Sequence, residues 1–587
     1  MPRPSSVAAL RETSGTPPGP PVVPKQAFSL TLSSGAVFAV ALIVQLVGFI
    51  GSTLFLAKHV GITEQGQALI GTAQLFLLIG SSINGIGDLR IGTAYTYFLA
   101  RGKPAKDNTT TYLVVRTGMV GVAGLILFVL APISLGGRSL VSNPALLASF
   151  GVFMVLPIVW SFSTVYTQLF VGEGNSLKAQ YPGLVEALVR LPVLIWVTYY
   201  DPTVPAITGA YAIGACASMI YSLPAIWARR GQFRVREATH LFRFAWPLMA
   251  SLLLNYVVTN MVPLIVSAGL GTAALSQFLI ANGFRILVLS LPAAVTTPLF
   301  PYLAGLHMQE RYEALRRGTW QALRYSAMLL VPGVVALVTY RYNFLNVLGN
   351  ARYAVPSSLP LAILVVGAVP LALSQIIQSS INAIGRQRLE LYITSTQILV
   401  LFAGVYLIMP PWAPFPVYPG LVAGSVAILA SSVAAFALNT YFMETLIRVH
   451  IYPRSIVAIV GSAAGSFFAL WLINHTHFFP VSTWYQLLTA VLLGFVVYFV
   501  VLALVGELTR DDVDRISSSI GLPRPLYRTL GRICWRVRSP DVAPIDLATA
   551  PGLRPVALPE TFVGTPERPT GPSPGEIPPE EGEDADE

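Results

Sequence analysis

Charge is scarce in this chain: of 587 residues only 11% are Asp, Glu, Lys or Arg, against roughly 25% in soluble domains. A solvated globular enzyme is thereby excluded. Cysteine is nearly absent, with Cys216 inside an apolar stretch and Cys534 far along the chain, so neither a disulfide framework nor a thiolate metal site can be assembled. Also missing are a phosphate loop ending in Gly-Lys-Ser/Thr, a His/Cys/carboxylate set at metal-ligand spacing and a Ser-His-Asp arrangement. Gly172-Glu-Gly174-Asn175 lacks the lysine that a phosphate loop needs. A built-in ATPase is not expected, and neither is any cofactor. No connection between apolar stretches exceeds about two dozen residues, too little for a sugar-donor domain.

Hydrophobic residues are abundant, at 54%. A hydrocarbon layer of ~30 Å takes about 20 apolar residues as a helix. Fourteen stretches of that kind occur, at 35–57, 66–86, 111–135, 145–169, 181–200, 205–227, 244–268, 272–301, 321–340, 357–381, 390–409, 418–442, 453–473 and 483–505. They are continuous rather than alternating, which points to helices and not to a β-barrel. The expected fold class is therefore an all-α polytopic membrane protein with about 14 transmembrane helices.

The connections alternate in charge. Placing the first 34 residues in the cytosol as a disordered tail puts twenty-one basic residues on inner segments and four on outer ones, namely Lys58, Arg138, Arg341 and Arg352. That asymmetry predicts a multi-pass protein of the cell membrane with both termini cytosolic. The basic residues are dispersed over loops, which argues against a nucleic-acid partner.

A repeat is visible in the connections. His59-Val-Gly61-Ile-Thr-Glu-Gln-Gly66-Gln67-Ala-Leu-Ile70 aligns with Gly269-Leu-Gly271-Thr-Ala-Ala-Leu-Ser276-Gln277-Phe-Leu-Ile280 at a constant offset of 210 residues. Six spans separate the copies, so they run in the same direction. This predicts two six-helix lobes related by an axis along the membrane normal, a transporter architecture. The expected organisation is an N-lobe over 35–228, a cytosolic linker over 229–243, a C-lobe over 244–445 and two further spans within 453–505. Basic interfacial helices over 506–539, with Thr509 and Asp512 at a helix start, and a disordered Pro-rich acidic tail over 540–587 complete it.

Polar residues within spans are the candidates for function, since a charge at the bilayer centre costs at least ~2.5–3.5 kcal/mol. Arg285 lies about ten residues, or ~15 Å, into its span, where a permanent cation facing the inter-lobe cavity could hold a phosphate; pairing with a helix carbonyl or a carboxylate is the structural alternative. Glu186 and Arg190 sit one turn apart and can neutralise each other, although Glu186 could instead couple an ion. Arg116, near the end of its span, can snorkel or meet a head group. Asp88 and Arg90 read as a rim pair at the cytosolic mouth. Asn255, Thr259, Asn260, Gln277 and Asn282 could join helices or contact a sugar. Gly461 to Gly465 reads as a close helix contact, and His475 with His477 as interfacial edge residues rather than metal ligands.

Several segments resemble the polysaccharide-export branch of the multidrug/oligosaccharidyl-lipid/polysaccharide exporter superfamily. They are Asp88-Leu-Arg-Ile-Gly92-Thr-Ala94, Phe242-Arg-Phe-Ala-Trp-Pro247-Leu-Met-Ala-Ser251, Gly269-Leu-Gly271-Thr-Ala-Ala274, Val347-Leu-Gly349-Asn-Ala-Arg-Tyr353-Ala354 and Ala383-Ile-Gly385-Arg386. The likeness covers about 35–510. It implies two six-helix lobes plus two helices, and a transporter, not an enzyme, that flips a polyprenyl-(pyro)phosphate-linked oligosaccharide to the outer leaflet by alternating access. On that reading Arg285, Arg116, Arg90, Asn255, Asn260 and Gln277 bind substrate, while Glu186, Arg190 and Asp88 serve coupling. Its partners are the lipid-linked glycan, membrane lipids, and glycan polymerase and glycosyltransferases. One departure stands out: relatives often carry Asp-Arg midway along the seventh span, where this chain has Asn260-Met261. A multidrug/cation antiporter, a membrane scaffold for glycan-assembly enzymes and a flippase for a peptidoglycan precursor remain open.

Overall fold

The computed structural model describes residues 40, 43–44, 46–100, 105–134, 144–386, 388–408, 420–449, 453–475 and 481–508. The expected first tail, Arg138, His477 and everything from Thr509 onward lie outside the described residues.

Among the described residues every regular element is helical and there is no strand. A π-helical stretch Val47–Leu54 runs into α1 (Phe55–His59), followed by α2 (Glu64–Ile86), α3 (Ile91–Ala100), α4 (Ala105–Ser134), α5 (Pro144–Gly172), α6 (Ser176–Ala179), α7 (Tyr181–Tyr200) and α8 (Val204–Ala228). A short link leads to α9 (Val235–Met308), α10 (Tyr312–Thr339), α11 (Arg341–Leu348), α12 (Ala351–Ala383), α13 (Arg388–Ile408), α14 (Gly420–Phe442), α15 (Pro453–His475) and α16 (Trp484–Leu504). Twelve helices among the described residues are long and apolar enough to cross a membrane. Thirteen of the fourteen expected spans map onto them, the seventh and eighth sharing α9, while the first begins outside the described residues.

Gly271 divides α9. Its backbone, at φ 88° and ψ 172°, lies where a side chain would be strained and glycine is not. The break falls between the two spans expected from hydropathy.

Helices α3 to α8 pack chiefly on one another, as do α9 to α14; α2 lies between α9 and α5, and α15 with α16 rests on α10. The long α9 also packs on α2, α3 and α4. The link between the halves is tied to the first two turns of α4: Gly231 N–H donates to Thr110 Oγ1 (2.8 Å), Gln232 N–H to Asp107 Oδ1 (3.0 Å) and Arg234 N–H to Thr111 Oγ1 (3.2 Å). Arg234 also pairs with Asp107 at 2.7 Å. These bonds satisfy link N–H groups that would otherwise lack partners.

The final pair is held at both ends. Ser466 Oγ donates to Gly494 O at 3.0 Å, which brings α15 and α16 into close backbone approach. Of the two glycines expected at a close helix contact, Gly465 faces α16, where an added Cβ would stand 3.6 Å from Val501 Cγ2, while one at Gly461 would meet nothing within 4 Å. Where α16 ends, Glu507 forms an ion pair with Arg324 of α10 at 2.8 Å. His475 stacks on Trp471 with ring centroids 5.0 Å apart.

Candidate functional site

The two ends of the helical bundle are closed by different chemistry. At the charge-poor end the repeated connections meet each other. Gln277 Nε2 donates to Gln67 Oε1 at 3.1 Å, and the two residues are 210 positions apart, the offset of the sequence repeat. Equivalent residues of two copies can touch only where they approach a two-fold axis, so this contact supports the parallel repeat. The backbones are equally close: a Cβ at Gly71 would stand 1.8 Å from Thr272 O, and one at Gly61 2.5 Å from Tyr353 Cε2. Further bonds join the halves here, with Lys58 Nζ donating to Val347 O (3.1 Å) and Asn350 Nδ2 to Ala57 O (2.6 Å). Gln277, expected to line a cavity, takes part in this seal because the break at Gly271 places it in the first turns of the second half of α9.

At the arginine-rich end the turn after α2 carries two non-glycine residues in left-handed backbone, Leu89 (φ 42°) and Arg90 (φ 58°). Such geometry costs on the order of 1–3 kcal/mol per residue and persists where surrounding contacts impose it. The contacts are plain. Asp88 turns back into its own half, where its Oδ1 accepts from Tyr112 OH at 2.6 Å and pairs with Arg116. Arg90 reaches the other half and pairs with Glu390 of α13 at 3.1 Å. Glu390 accepts a second bond from Asn382 Nδ2 at 3.0 Å. Asp88 and Arg90 therefore do not form a rim pair; the left-handed turn sends them in opposite directions. Tyr256 of α9 closes the same end, since its hydroxyl sits where a Cβ on Gly85 would be, only 1.2 Å away.

Arg116 does not snorkel. It is 1% exposed and, besides Asp88, donates to Asn84 Oδ1 at 2.7 Å and to Asn84 O at 3.2 Å. A buried cation with a carboxylate and an amide around it organises the end of α2. Removing one partner of such a pair strands the other, typically at ~3–5 kcal/mol. Arg116→Met is accordingly expected to lower the thermal stability of the detergent-purified protein sharply, and an unchanged unfolding temperature would contradict this role.

Arg285 has the opposite surroundings. It is 7% exposed, yet among the described residues its one hydrogen-bond partner is Asn282 Oδ1 at 3.1 Å, and Nε has none. No carboxylate pairs with it among the described residues. Ala281 and Val288, one turn to either side on the same helix face, are buried in the hydrophobic core, so the arginine stands on an apolar face. Burying an unpaired cation is costly, and local packing here does nothing to offset it.

The remaining candidates are dispersed. Glu186 and Arg190 pair with each other at 2.9 Å, and the Arg190 guanidinium lies 4.7 Å from the Tyr211 ring centroid. Asn260 Nδ2 bonds back to Tyr256 O at 3.1 Å, while Asn255 is exposed. Arg285, Arg116 and Arg90 are not joined in one contacting cluster. Glu390, Asn84, Tyr112 and Tyr256 were missed in the sequence because their partners are remote or lie around a turn. Gln67 carried a usable signal: it is the repeat counterpart of Gln277. Among the described residues no group of three or more His, Cys, Asp or Glu could hold a metal.

The family model described as "Polysaccharide biosynthesis protein" matches residues 101–355. No curated protein matches the chain. Among solved structures, the lipid II flippase MurJ in an inward closed conformation is similar at a TM-score of 0.59 and 14% identity, over 79% of this chain and 97% of that one. A multidrug resistance MATE family transporter of the MOP superfamily, in an inward-facing conformation, is similar at 0.53 and 12%, over 71% and 98%. A MOP superfamily transporter from Pyrococcus furiosus follows at 0.53 and 14%, over 72% and 95%. The chain is thus a multi-pass membrane protein with the fold of MOP-superfamily transporters. Together with the family match, this bears out the resemblance read from the sequence to the polysaccharide-export branch of that superfamily.

Proposed function

We propose that this transporter flips a polyprenyl-(pyro)phosphate-linked oligosaccharide from the cytosolic to the outer leaflet by alternating access, for cell-surface polysaccharide biosynthesis. The observation that carries the reading is Arg285, a buried cation with no carboxylate partner among the described residues. A permanent charge held without a counter-ion suits a ligand that brings its own negative charge, and a guanidinium matches phosphate oxygens in a bidentate way. Polar contacts between the halves at both ends, none of them covalent, support alternating access. On this reading the arginine-rich end opens to the cytosol, and the arriving phosphate competes with Glu390 for Arg90, which is a third exposed. The lipid tail stays in the bilayer. Asn255, which is exposed, and Asn260, whose Oδ1 is not used in its bond to Tyr256 O, would meet the glycan once the lobes part. The finer roles of Glu186, Arg190 and Asp88 in coupling stay secondary, since each is already paired with an opposite charge or joined in such a pair.

The Arg90–Glu390 bond is the testable latch. With Cys216 and Cys534 replaced by serine and Tyr256 by cysteine, Glu390→Gln is expected to speed reaction of that cysteine with a membrane-impermeant thiol reagent about fivefold, the effect of a partly exposed ion pair worth ~1 kcal/mol. Equal rates in both backgrounds would remove the latch from the mechanism. Transport itself is tested with fluorescent polyprenyl-pyrophosphate oligosaccharide in proteoliposomes, where loss of activity in Arg285→Ala with intact membrane insertion is the expected outcome. Normal transport by that variant would overturn the assignment.

A further inference from the structure

Arg341 is one of the four basic residues that the charge asymmetry leaves on the outer side; Arg138 lies outside the described residues, and the surroundings of Arg341 differ from those of Lys58 and Arg352. Lys58 is engaged with Val347 O, and Arg352 lies exposed at the start of α12. Arg341 lines a cavity of about 450 Å³ between the end of α10, α11, the first turns of α12 and the last turns of α15, which is the size class of small-ligand sites. Its Nη1 donates to Val338 O at 3.1 Å, which leaves most of the five guanidinium donors unassigned. No carboxylate pairs with it among the described residues.

The rest of the lining has two characters. Asn343 and Asn474 contribute amides; Asn343 uses Nδ2 on Val481 O at 2.9 Å, so its Oδ1 stays available. Phe467 and Trp471, one turn apart on α15 and each 42% exposed, form an aromatic wall that continues onto the surface of the helix. Tyr342, 45% exposed, flanks the opposite side. A cation with amides at one end of a span, bordered by aromatic rings on a face turned away from the protein, is the arrangement found at the level of lipid head groups. Arginine there recognises phosphate rather than merely neutral polar groups.

We infer that this cavity binds the head group of a phosphate-bearing lipid at the charge-poor end of the bundle, with Arg341 on the phosphate and Trp471 and Phe467 against the first methylenes of the chain. The ligand is either a glycerophospholipid or a polyprenyl phosphate, which share that chemistry. The site is separate from Arg285 and does not depend on the proposed transport. Native mass spectrometry of the full chain, released from detergent micelles after titration with phosphatidylglycerol, undecaprenyl phosphate or a diacylglycerol of matched chains, tests it. One of the two phosphate lipids is expected to be retained well above the diacylglycerol, and which one is retained more tightly names the source. Arg341→Gln is expected to weaken that binding about tenfold, the effect of losing a charge-assisted contact, with Arg341→Lys falling between. Diacylglycerol binding equal to that of the phosphate lipids, or Arg341→Gln binding equal to wild type, would overturn the site. Full displacement of the lipid by millimolar inorganic phosphate would also overturn it, by marking a free-anion site. The wild-type comparison of lipids stands even if a variant fails to fold.

Discussion

Arg285→Met is expected to reduce substrate translocation at least about a hundredfold and to leave the protein as stable as wild type or more so. The two halves of this expectation have separate causes. Methionine fills a similar elongated volume between the buried Ala281 and Val288, and it removes an arginine whose single partner among the described residues is Asn282. Replacing buried charges by well-packed apolar side chains is often neutral or stabilising, by ~1–4 kcal/mol. Loss of a cation that contacts phosphate in a low-dielectric interior costs at least ~2.7–4 kcal/mol of transition-state stabilisation, on the scale of comparable electrostatic contacts. Thermal unfolding in detergent and a proteoliposome assay read the two halves separately. A variant that loses activity because it unfolds would contradict the account, since it would make Arg285 structural. Arg116→Met provides the contrast: there stability is expected to fall, because Asp88 is left without its partner.

Cross-linking the charge-poor end is expected to stop transport completely and reversibly. In a chain with Cys216 and Cys534 replaced by serine, cysteines at Gln67 and Gln277 would face each other across the repeat axis, where the native amides meet at 3.1 Å. A short, reducible thiol-bridging reagent should join them, and the bridge should hold the end shut through every cycle. Reduction should restore the starting rate. Gly71→Val should do the reverse, because the added atoms cannot coexist with Thr272 O; this variant should fail to close that end and transport poorly. Unimpaired transport by the bridged protein would mean that the charge-poor end does not open.

Much of the fold was legible because the bilayer imposes simple demands on a sequence. Apolar length marks a span, and the glycine at 271 marks the boundary of two spans even though one helical run covers both. The parallel repeat was legible from two short connections, and the bond between Gln67 and Gln277 supplies the spatial counterpart of their 210-residue offset. The site was less so. Arg90 and Glu390 are 300 residues apart, and neither hydropathy nor spacing relates them. The opposite paths of Asp88 and Arg90 follow from left-handed backbone at Leu89 and Arg90, a conformation that non-glycine residues do not advertise. Arg116 looked like a helix-end cation free to snorkel, and only the approach of Asn84 from the end of α2 and of Asp88 from the turn after it shows why it stays buried. Arg285 was legible as an anomaly, because an arginine that deep demands a reason. Its lack of a protein counter-ion among the described residues needed the structure.

The central claim is that the interior carries a phosphate-linked glycan lipid. Proteoliposomes containing the full chain, loaded on one face with fluorescent polyprenyl-pyrophosphate oligosaccharide, test it most directly through the rate at which the glycan becomes accessible to a soluble lectin on the other face. The account predicts protein-dependent translocation that is lost in Arg285→Met. Movement of organic cations under an ion gradient, with no translocation of the glycan lipid, would contradict it.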